Sequence, residues 1–225
     1  MQKNATVKQP FEVNWAGSIP FKQSLDFQEK LKVLAKKSQF CFFGFEVIEP
    51  VITLGLRGDE SHILFNDSQL KQKGLSKLKL KRGGEATLHA PGQLIIYPVL
   101  FLPSLGLKVK DFIVSLEEIT QSVLTDFGIE TNKEGQYAGL YTERGKICFF
   151  GIHISEGVSQ HGVSINVHND LNLFQAIKSC GEQNRPHDSL SLYPSFSLSQ
   201  KELFFKWCEK AFAFFGKIDK KSILI

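Results

Sequence analysis

The feature that most constrains this chain is the order of its apolar periodicities. Strand-like and helix-like stretches are interspersed without the regular strand–helix–strand rhythm of a doubly wound sheet. Helical spacing covers residues 20–37, where Phe21, Leu25, Leu31, Leu34 and Ala35 recur and Pro20 fits a first turn. It is strongest from Val109 to Phe127: Val109, Phe112, Ile113, Leu116, Ile119, Val123, Leu124 and Phe127 keep a 3.6-residue period, and Gly128 supplies the stop. Ser199-Gln200-Lys201-Glu202 is a capping box, with Leu198 and Leu203 as a staple; it opens a last helix whose Leu203, Trp207, Ala211 and Phe214 point inward. Strands are predicted at 40–48 (FCFFGFEVI), 51–55 and 77–81 (KLKLK), the last half-exposed, and on both sides of the Pro91-Gly92 turn. A hairpin over 137–142 and 146–154 and a strand near 158–167 follow, then a short helix, LNLFQAIK, capped by Asp170. The pattern predicts one mixed α/β (α+β) domain over residues 1–225.

Size and composition exclude several classes. The chain has 225 residues, 42% hydrophobic and 22% charged, which describes an ordinary globule rather than a disordered chain, a collagen or a coiled coil. A net charge of +4 falls short of the dense basic face of a nucleic-acid binder. The four cysteines, Cys41, Cys148, Cys180 and Cys208, are too sparse for a disulfide scaffold and contain no C-x-x-C pair, so reduced thiols are expected. The first fifteen residues carry no apolar signal segment, and the longest apolar stretch, Leu94–Leu102, is short and broken by Pro98. The expectation is a cytoplasmic protein with no nucleic-acid partner and no membrane contact.

Nucleotide-binding, zinc-hydrolase and nucleophile-elbow motifs are missing. His153, His161 and His168 are spaced for neither one helix face nor one strand face, so no metal is expected. Three clusters remain. In RGGEATLHAPGQ (82–93), Gly83 and Gly84 let backbone N–H groups approach a ligand, Arg82 could clamp an anion and His89 could move protons; a glycine bulge with a surface histidine reads the same residues without a ligand. In GKICFFGIHISEGVSQHGVSIN (145–166), Gly151, Gly157 and Gly162 interrupt strand residues, implying close approach of another chain or a ligand. Lys146 opens that strand and, taken alone, reads as a solvated hairpin lysine. In Ser179-Cys180-Gly181 the thiol sits by a glycine at a helix end, whereas the other three cysteines fall in core patterns. Cys180 is therefore the nucleophile candidate, with Lys146 or His161 to activate it.

Taken in order, TLGLRGDES (53–61), RGGEATLHAPGQ with Tyr97-Pro98, Lys146-Ile147 with Gly151, HGVSINV (161–167), Asp170-Leu171 and Cys180-Gly181 resemble the octanoyltransferase family. The resemblance runs from about Pro20 to Leu190. It implies the fold of the biotin/lipoate protein ligases, a mixed sheet flanked by helices. It also implies transfer of an octanoyl group from octanoyl-acyl carrier protein to a lysine of lipoyl domains, those of 2-oxoacid dehydrogenase complexes and of the glycine cleavage H protein. The intermediate would be a thioester on Cys180, with Lys146 as its partner. The implied acyl-binding surface comprises Arg82, Gly83, Gly84, Glu85, Ala86, Thr87, Leu88 and His89, then Phe149, Phe150 and Gly151, then Gly162, Val163 and Ser164. No cofactor is implied, because the donor carries its own phosphopantetheine. Ser179 stands where the family usually has proline, Leu56 where it commonly has arginine, and Asp188-Ser189-Leu190 where it has Thr-Ser-Leu. Two other readings stay open: an ATP-dependent lipoate or biotin ligase of the same fold, and a non-catalytic acyl or lipoyl-domain binding protein.

Overall fold

The computed structural model describes residues 11–134, 137–179 and 186–216. Among them, strands β1 (Phe11–Ile19), β2 (Phe40–Val47), β6 (Gln93–Val99), β7 (Asn132–Glu134), β8 (Tyr137–Thr142), β9 (Gly145–Ser155) and β10 (Val158–Asn166) build one sheet in the order β1-β2-β6-β10-β9-β8-β7. The β1–β2 pair is parallel, joined through helix α1 (Phe21–Ala35), and the other neighbours are antiparallel. A second sheet orders β3 (Val51–Leu54), β4 (Ser76–Lys79) and β5 (Ala86–His89) as β4-β3-β5. Helices α2 (Asp67–Gln72), α3 (Val109–Thr125) and α4 (Gln200–Phe215) complete the set.

Period-2 alternation explains the two-layered core. In the FCFFGF run, Phe40 and Phe42 join Leu94 and Ile96 against α3 and α4, while Cys41, Phe43 and Phe45 join Ile95, Tyr97 and Val99 against α1. Central strands covered on both faces read as continuous apolar runs, and both strands are buried throughout apart from half-buried Glu46. Several of the phenylalanines pack on one another: Phe42 meets Phe11 at 5.4 Å, Trp207 at 5.6 Å and Phe212 at 5.3 Å between ring centroids. Trp207, wholly buried, donates its indole N–H to Thr120 Oγ1 at 3.0 Å, so α4 is keyed to α3. The Ser199 capping box forms as predicted, with Glu202 N–H on Ser199 Oγ at 3.3 Å and Ser199 N–H on Glu202 Oε2 at 2.8 Å.

Other expectations change. Pro20 caps α1 from outside rather than entering its first turn. Phe215, not Phe214, is the fully buried ring near the end of α4. The segment capped by Asp170 is a 3₁₀ helix, Leu171–Ala176, and from Ile177 the chain is extended. Strand β1 and helix α2 had no counterpart in the sequence reading. The strand glycines are approached by the protein's own chain. A Cβ at Gly162 would overlap Ile96 O and lie 2.6 Å from Pro98 Cδ, and one at Gly151 would lie 3.2 Å from Arg82 Cδ.

Gly162→Ala should therefore destabilise by about 3 kcal/mol or more in urea unfolding, because β6 and β10 must separate. Gly128→Ala, at φ 70° with open space around it, should lose only about 1–2 kcal/mol. Equal losses at the two positions would contradict the packing argument.

Candidate active site

The glycine-rich segment between the strands β4 and β5 is a loop folded around its own arginine. Arg82 is 6% exposed. Its Nε donates to Thr53 Oγ1 at 3.0 Å, Nη2 to Thr53 Oγ1 at 2.8 Å, to Glu85 O at 2.9 Å and to Thr53 O, and Nη1 to Gly83 O at 2.9 Å. The guanidinium thus shapes the loop, in place of the anion clamp suggested by its residue type. The N–H groups of Gly55, Leu56 and Arg57 hold the carbonyls of Glu85, Arg82 and Gly84, and Gly83 N–H donates to Ile152 O at 2.9 Å. That last bond docks the loop on β9 and engages one of the backbone donors the glycines were expected to offer a ligand.

Between this loop and the strands β9 and β10 lies a cavity of about 250 Å³. Arg82, Gly83, Gly84, Glu85, Ala86 and Thr87 line it, with His89. So do Lys146, Phe149, Phe150 and Gly151 of β9, and His161, Gly162, Val163 and Ser164 of β10. Leu88 does not: it is wholly buried in the core of the small sheet, packed with Ile52, Leu54 and Phe174. Phe21, Ile95 and Tyr97 add apolar wall from α1 and β6. Their residue types signal core packing only, and the topology alone brings them here. In KLKLK (77–81), Lys77 is paired with Glu60 at 3.0 Å and with Asp67 at 3.7 Å, while Lys79 and Lys81 are exposed.

Lys146 overturns the solvated-lysine reading: it is 1% exposed. Its ammonium lies 4.9 Å from the Phe149 ring centre and 5.2 Å from that of Tyr141. Gly139 makes room for it, since a Cβ there would stand 2.9 Å from Lys146 Nζ. The backbone is fixed on the other side, with Lys146 N–H donating to Pro186 O and Asp188 N–H to Lys146 O, each at 2.9 Å.

Both cavity histidines are buried and neutral. Burial holds His89 down at about 4, helped by the Arg82 charge against the opposing hydrogen bond to Gln93, and burial with the Arg82 charge holds His161 at about 3. Gln93 Nε2 donates to Asn166 Oδ1 at 2.9 Å, so its Oε1, 2.8 Å from His89 Nδ1, is the acceptor. The proton of His89 then sits on Nδ1, and Nε2 is left as an acceptor. His161 has φ 56°, uncommon for a residue other than glycine, and its N–H is held by Gln28 Oε1 at 2.5 Å.

Cys180 and Gly181 lie outside the described residues. Ser179, the residue before the thiol, is buried and pairs with Ala86 of the glycine-rich segment in an isolated parallel bridge. The other three thiols are buried, and burial raises each: Cys41 to about 11, Cys148 and Cys208 further. Among the described residues no cluster of three His, Cys, Asp or Glu side chains could hold a metal ion, and no helix is long and apolar enough to cross a membrane.

Residues 20–199 match the family model of the lipoyl protein ligase A/B catalytic domain. An octanoyltransferase of Dictyoglomus thermophilum is 32% identical over 93% of this chain and 89% of its own length. The chain belongs to the octanoyltransferase family. An octanoyltransferase of Desulfotalea psychrophila is 42% identical over a shorter stretch, 59% of this chain and 60% of the relative. The crystal structure of a lipoate-protein ligase A bound with ATP superposes with a TM-score of 0.76 at 15% identity, covering 93% of this chain and 87% of that one, which shows a shared fold. The protein is thus an acyltransferase-family enzyme on a ligase-type mixed sheet flanked by helices.

The buried histidines give this octanoyltransferase-family chain an acid limit. Each binds a proton more weakly when folded than at the ordinary 6.5, so below that pH the unfolded chain takes up more protons and stability rises with pH. Their contribution is complete above pH 6.5 and is lost progressively as pH falls toward about 4 for His89 and about 3 for His161. Urea titrations should show a loss of about 2 kcal/mol per histidine between pH 7 and pH 5. His89→Gln should remove its share of that slope; a slope unchanged by the substitution would contradict the assignment.

Proposed function

We propose that this chain transfers an octanoyl group from octanoyl-acyl carrier protein to a lysine of lipoyl domains through a thioester on Cys180. The observation that carries the reading is Lys146: a wholly buried ammonium in the wall of an apolar-sided cavity, on the strand bridged to His187, seven residues after the thiol in the chain. Burying a lysine side chain costs several kcal/mol, and a charge kept there favours an adjacent thiolate. The acyl tail would lie against Phe149, Phe150 and Val163, where each buried methylene contributes about 0.8 kcal/mol.

The thiolate of Cys180 attacks the thioester carbonyl, a new carbon–sulfur bond forms, and the carbon–sulfur bond to phosphopantetheine breaks. Lys146 gives the departing sulfur its proton. In the second half, the neutral amine of the acceptor lysine attacks the acyl-enzyme, the amide forms, Cys180 leaves as thiolate, and the proton returns to Lys146. His161 is the weaker base for that last transfer because burial depresses its basicity. Oxyanion donors are assigned away from Gly83, whose N–H already binds Ile152 O. The thioester supplies the activation, so the scheme needs no nucleotide, metal or other cofactor. The acceptors we propose are the lipoyl domains of 2-oxoacid dehydrogenase complexes and the glycine cleavage H protein, in a cytoplasmic setting, with the whole chain acting as one catalytic domain.

Incubation with octanoyl carrier protein should add one octanoyl mass to the intact protein, and Cys180→Ser should abolish it. An ATP-dependent ligase would survive Cys180→Ala and modify the lipoyl domain from free acid and ATP, and a binding protein would gain no mass; either result overturns the reading. Lys146→Ala should slow acylation by about a hundredfold with the fold retained. Gly139→Ala, whose Cβ would displace the Lys146 side chain and crowd Cys148 O at 2.9 Å, should slow acylation in the same direction in stopped-flow assays. Wild-type rates in both variants would remove Lys146 from the chemistry.

A further inference from the structure

A regular strand sends successive side chains to opposite faces, yet Gln160 and His161 of β10 both meet the α1 side of the sheet. Gln160 Nε2 donates to Glu29 Oε1 at 2.7 Å, and the His161 ring stands edge-on to Tyr97, with centroids 5.6 Å apart and planes at 85°. Val163 and Ile165, in step with His161 along the strand, join the opposite core against α3 and α4. The left-handed backbone of His161, at φ 56°, makes the switch. The neighbouring strand offers no ladder there. Pairing of β6 with β10 runs from Asn166–Gln93 to Val163–Ile96 and ends before Pro98, which has no N–H and whose carbonyl accepts from Ser159 Oγ at 2.6 Å. The His161 N–H goes to Gln28 Oε1 of α1, a side chain 3% exposed.

The turned ring lines the cavity with Tyr97 and Phe21, all three buried. The register of β9 sets its distance from Lys146. The ammonium lies over Phe149, and the strand then runs through Phe150 and Gly151 to Ile152, the partner of His161. Three residues of strand span about 10 Å. An extended chain advances about 3.3–3.6 Å for every three bonds, so the seven carbon–carbon bonds of an octanoyl group need about 8 Å.

We infer that His161 is a specificity-determining residue: its ring closes the cavity at the end away from Lys146 and limits the acyl chain to octanoyl length, with Gln28 as the positioning residue that keeps the ring there. This deepens the function proposed above and rests on the polar head of the acyl group lying at Lys146. Gln28 satisfies a buried N–H that has no acceptor in the ladder, and so stabilises the kink. Without it the strand can straighten and carry the ring off the end of the slot.

The test needs no transfer chemistry. Free saturated fatty acids from hexanoic to tetradecanoic are titrated calorimetrically into wild type, His161→Gly, His161→Asn and Gln28→Ala. Glycine and asparagine both accept the left-handed backbone, so the two His161 variants shorten the side chain without straining the strand. Each methylene that finds room should raise affinity about fourfold. Wild type should therefore gain about fifteenfold from hexanoic to octanoic acid and nothing beyond it. His161→Gly should gain about a further tenfold at decanoic acid and His161→Asn about threefold, and Gln28→Ala should move the same way as the ring is released. A wild-type affinity that keeps rising past octanoic acid, or no binding at any length, would overturn the inference. So would variants whose affinities fall equally at every length and leave the limit where it was. A Gln28→Ala series that matches wild type would overturn the positioning role of Gln28. If the length limit moves as described but wild type takes up no octanoyl group from octanoyl carrier protein, the inference stands and the proposed transfer falls.

Discussion

The site depends on keeping one ammonium inside the sheet. A lysine taken wholly out of water loses several kcal/mol of hydration unless its surroundings compensate. Here, aromatic faces of Tyr141 and Phe149 stand within about 5 Å of Lys146 Nζ, and the backbone on both sides of it is tied to the 186–188 segment. Under the proposed mechanism, a thiolate beside this amine would favour its protonated form.

The same segment anchors a buried polar chain that holds the cavity floor. His89 is bonded to Gln93, Gln93 to Asn166, and Asn166 Nδ2 to Asp188 O at 2.9 Å, with Asn169 Nδ2 donating to Asn166 Oδ1 at 3.1 Å. Asp188, itself wholly buried, accepts from Thr142 Oγ1 and from Tyr193 OH, and its Oδ1 takes Ser189 N–H at 2.8 Å. Every link is satisfied, which is the condition under which buried polar groups stiffen a structure rather than weaken it. The chain crosses from β5 to β6 to β10, and so couples the glycine-rich loop to the strand that carries His161 and Val163.

Much of the fold was legible because it follows from local periodicity. The 3.6-residue pattern of Val109–Phe127, the Ser199 box and the alternation in KLKLK all act within a few residues, and all three elements form. Strand β1 escaped because it is a sheet edge with a register shift between Trp15 and Ser18, which breaks the alternation that would announce it. Helix α2 escaped because it has six residues, too few for a period, although Asn66 and Gln69 form a capping box visible in the sequence. The site was legible as segments, through resemblance, but individual side chains were not. Leu88 lies in the middle of the matched run and faces away, whereas Phe21 and Tyr97 face in without any chemical mark.

What sequence cannot display is the pairing of glycines with buried cations. Lys146 occupies the space left by Gly139, and Arg82 that left by Gly151, where a Cβ would come within 3.2 Å of Arg82 Cδ. Each long cationic side chain needs a groove free of Cβ atoms in the facing backbone, and each groove is supplied by a residue distant in the chain or across a hairpin. A glycine in a strand is disfavoured by itself, as is a buried cation, yet seated together they fill one volume at native density. The two destabilising features remove each other's cause: the cation fills what the glycine leaves empty, and the glycine admits a charge that any larger residue would push out toward water. A buried cation within a strand is thus a property of two positions at once, and neither residue alone, read along the chain, distinguishes it from an exposed lysine or a flexible turn.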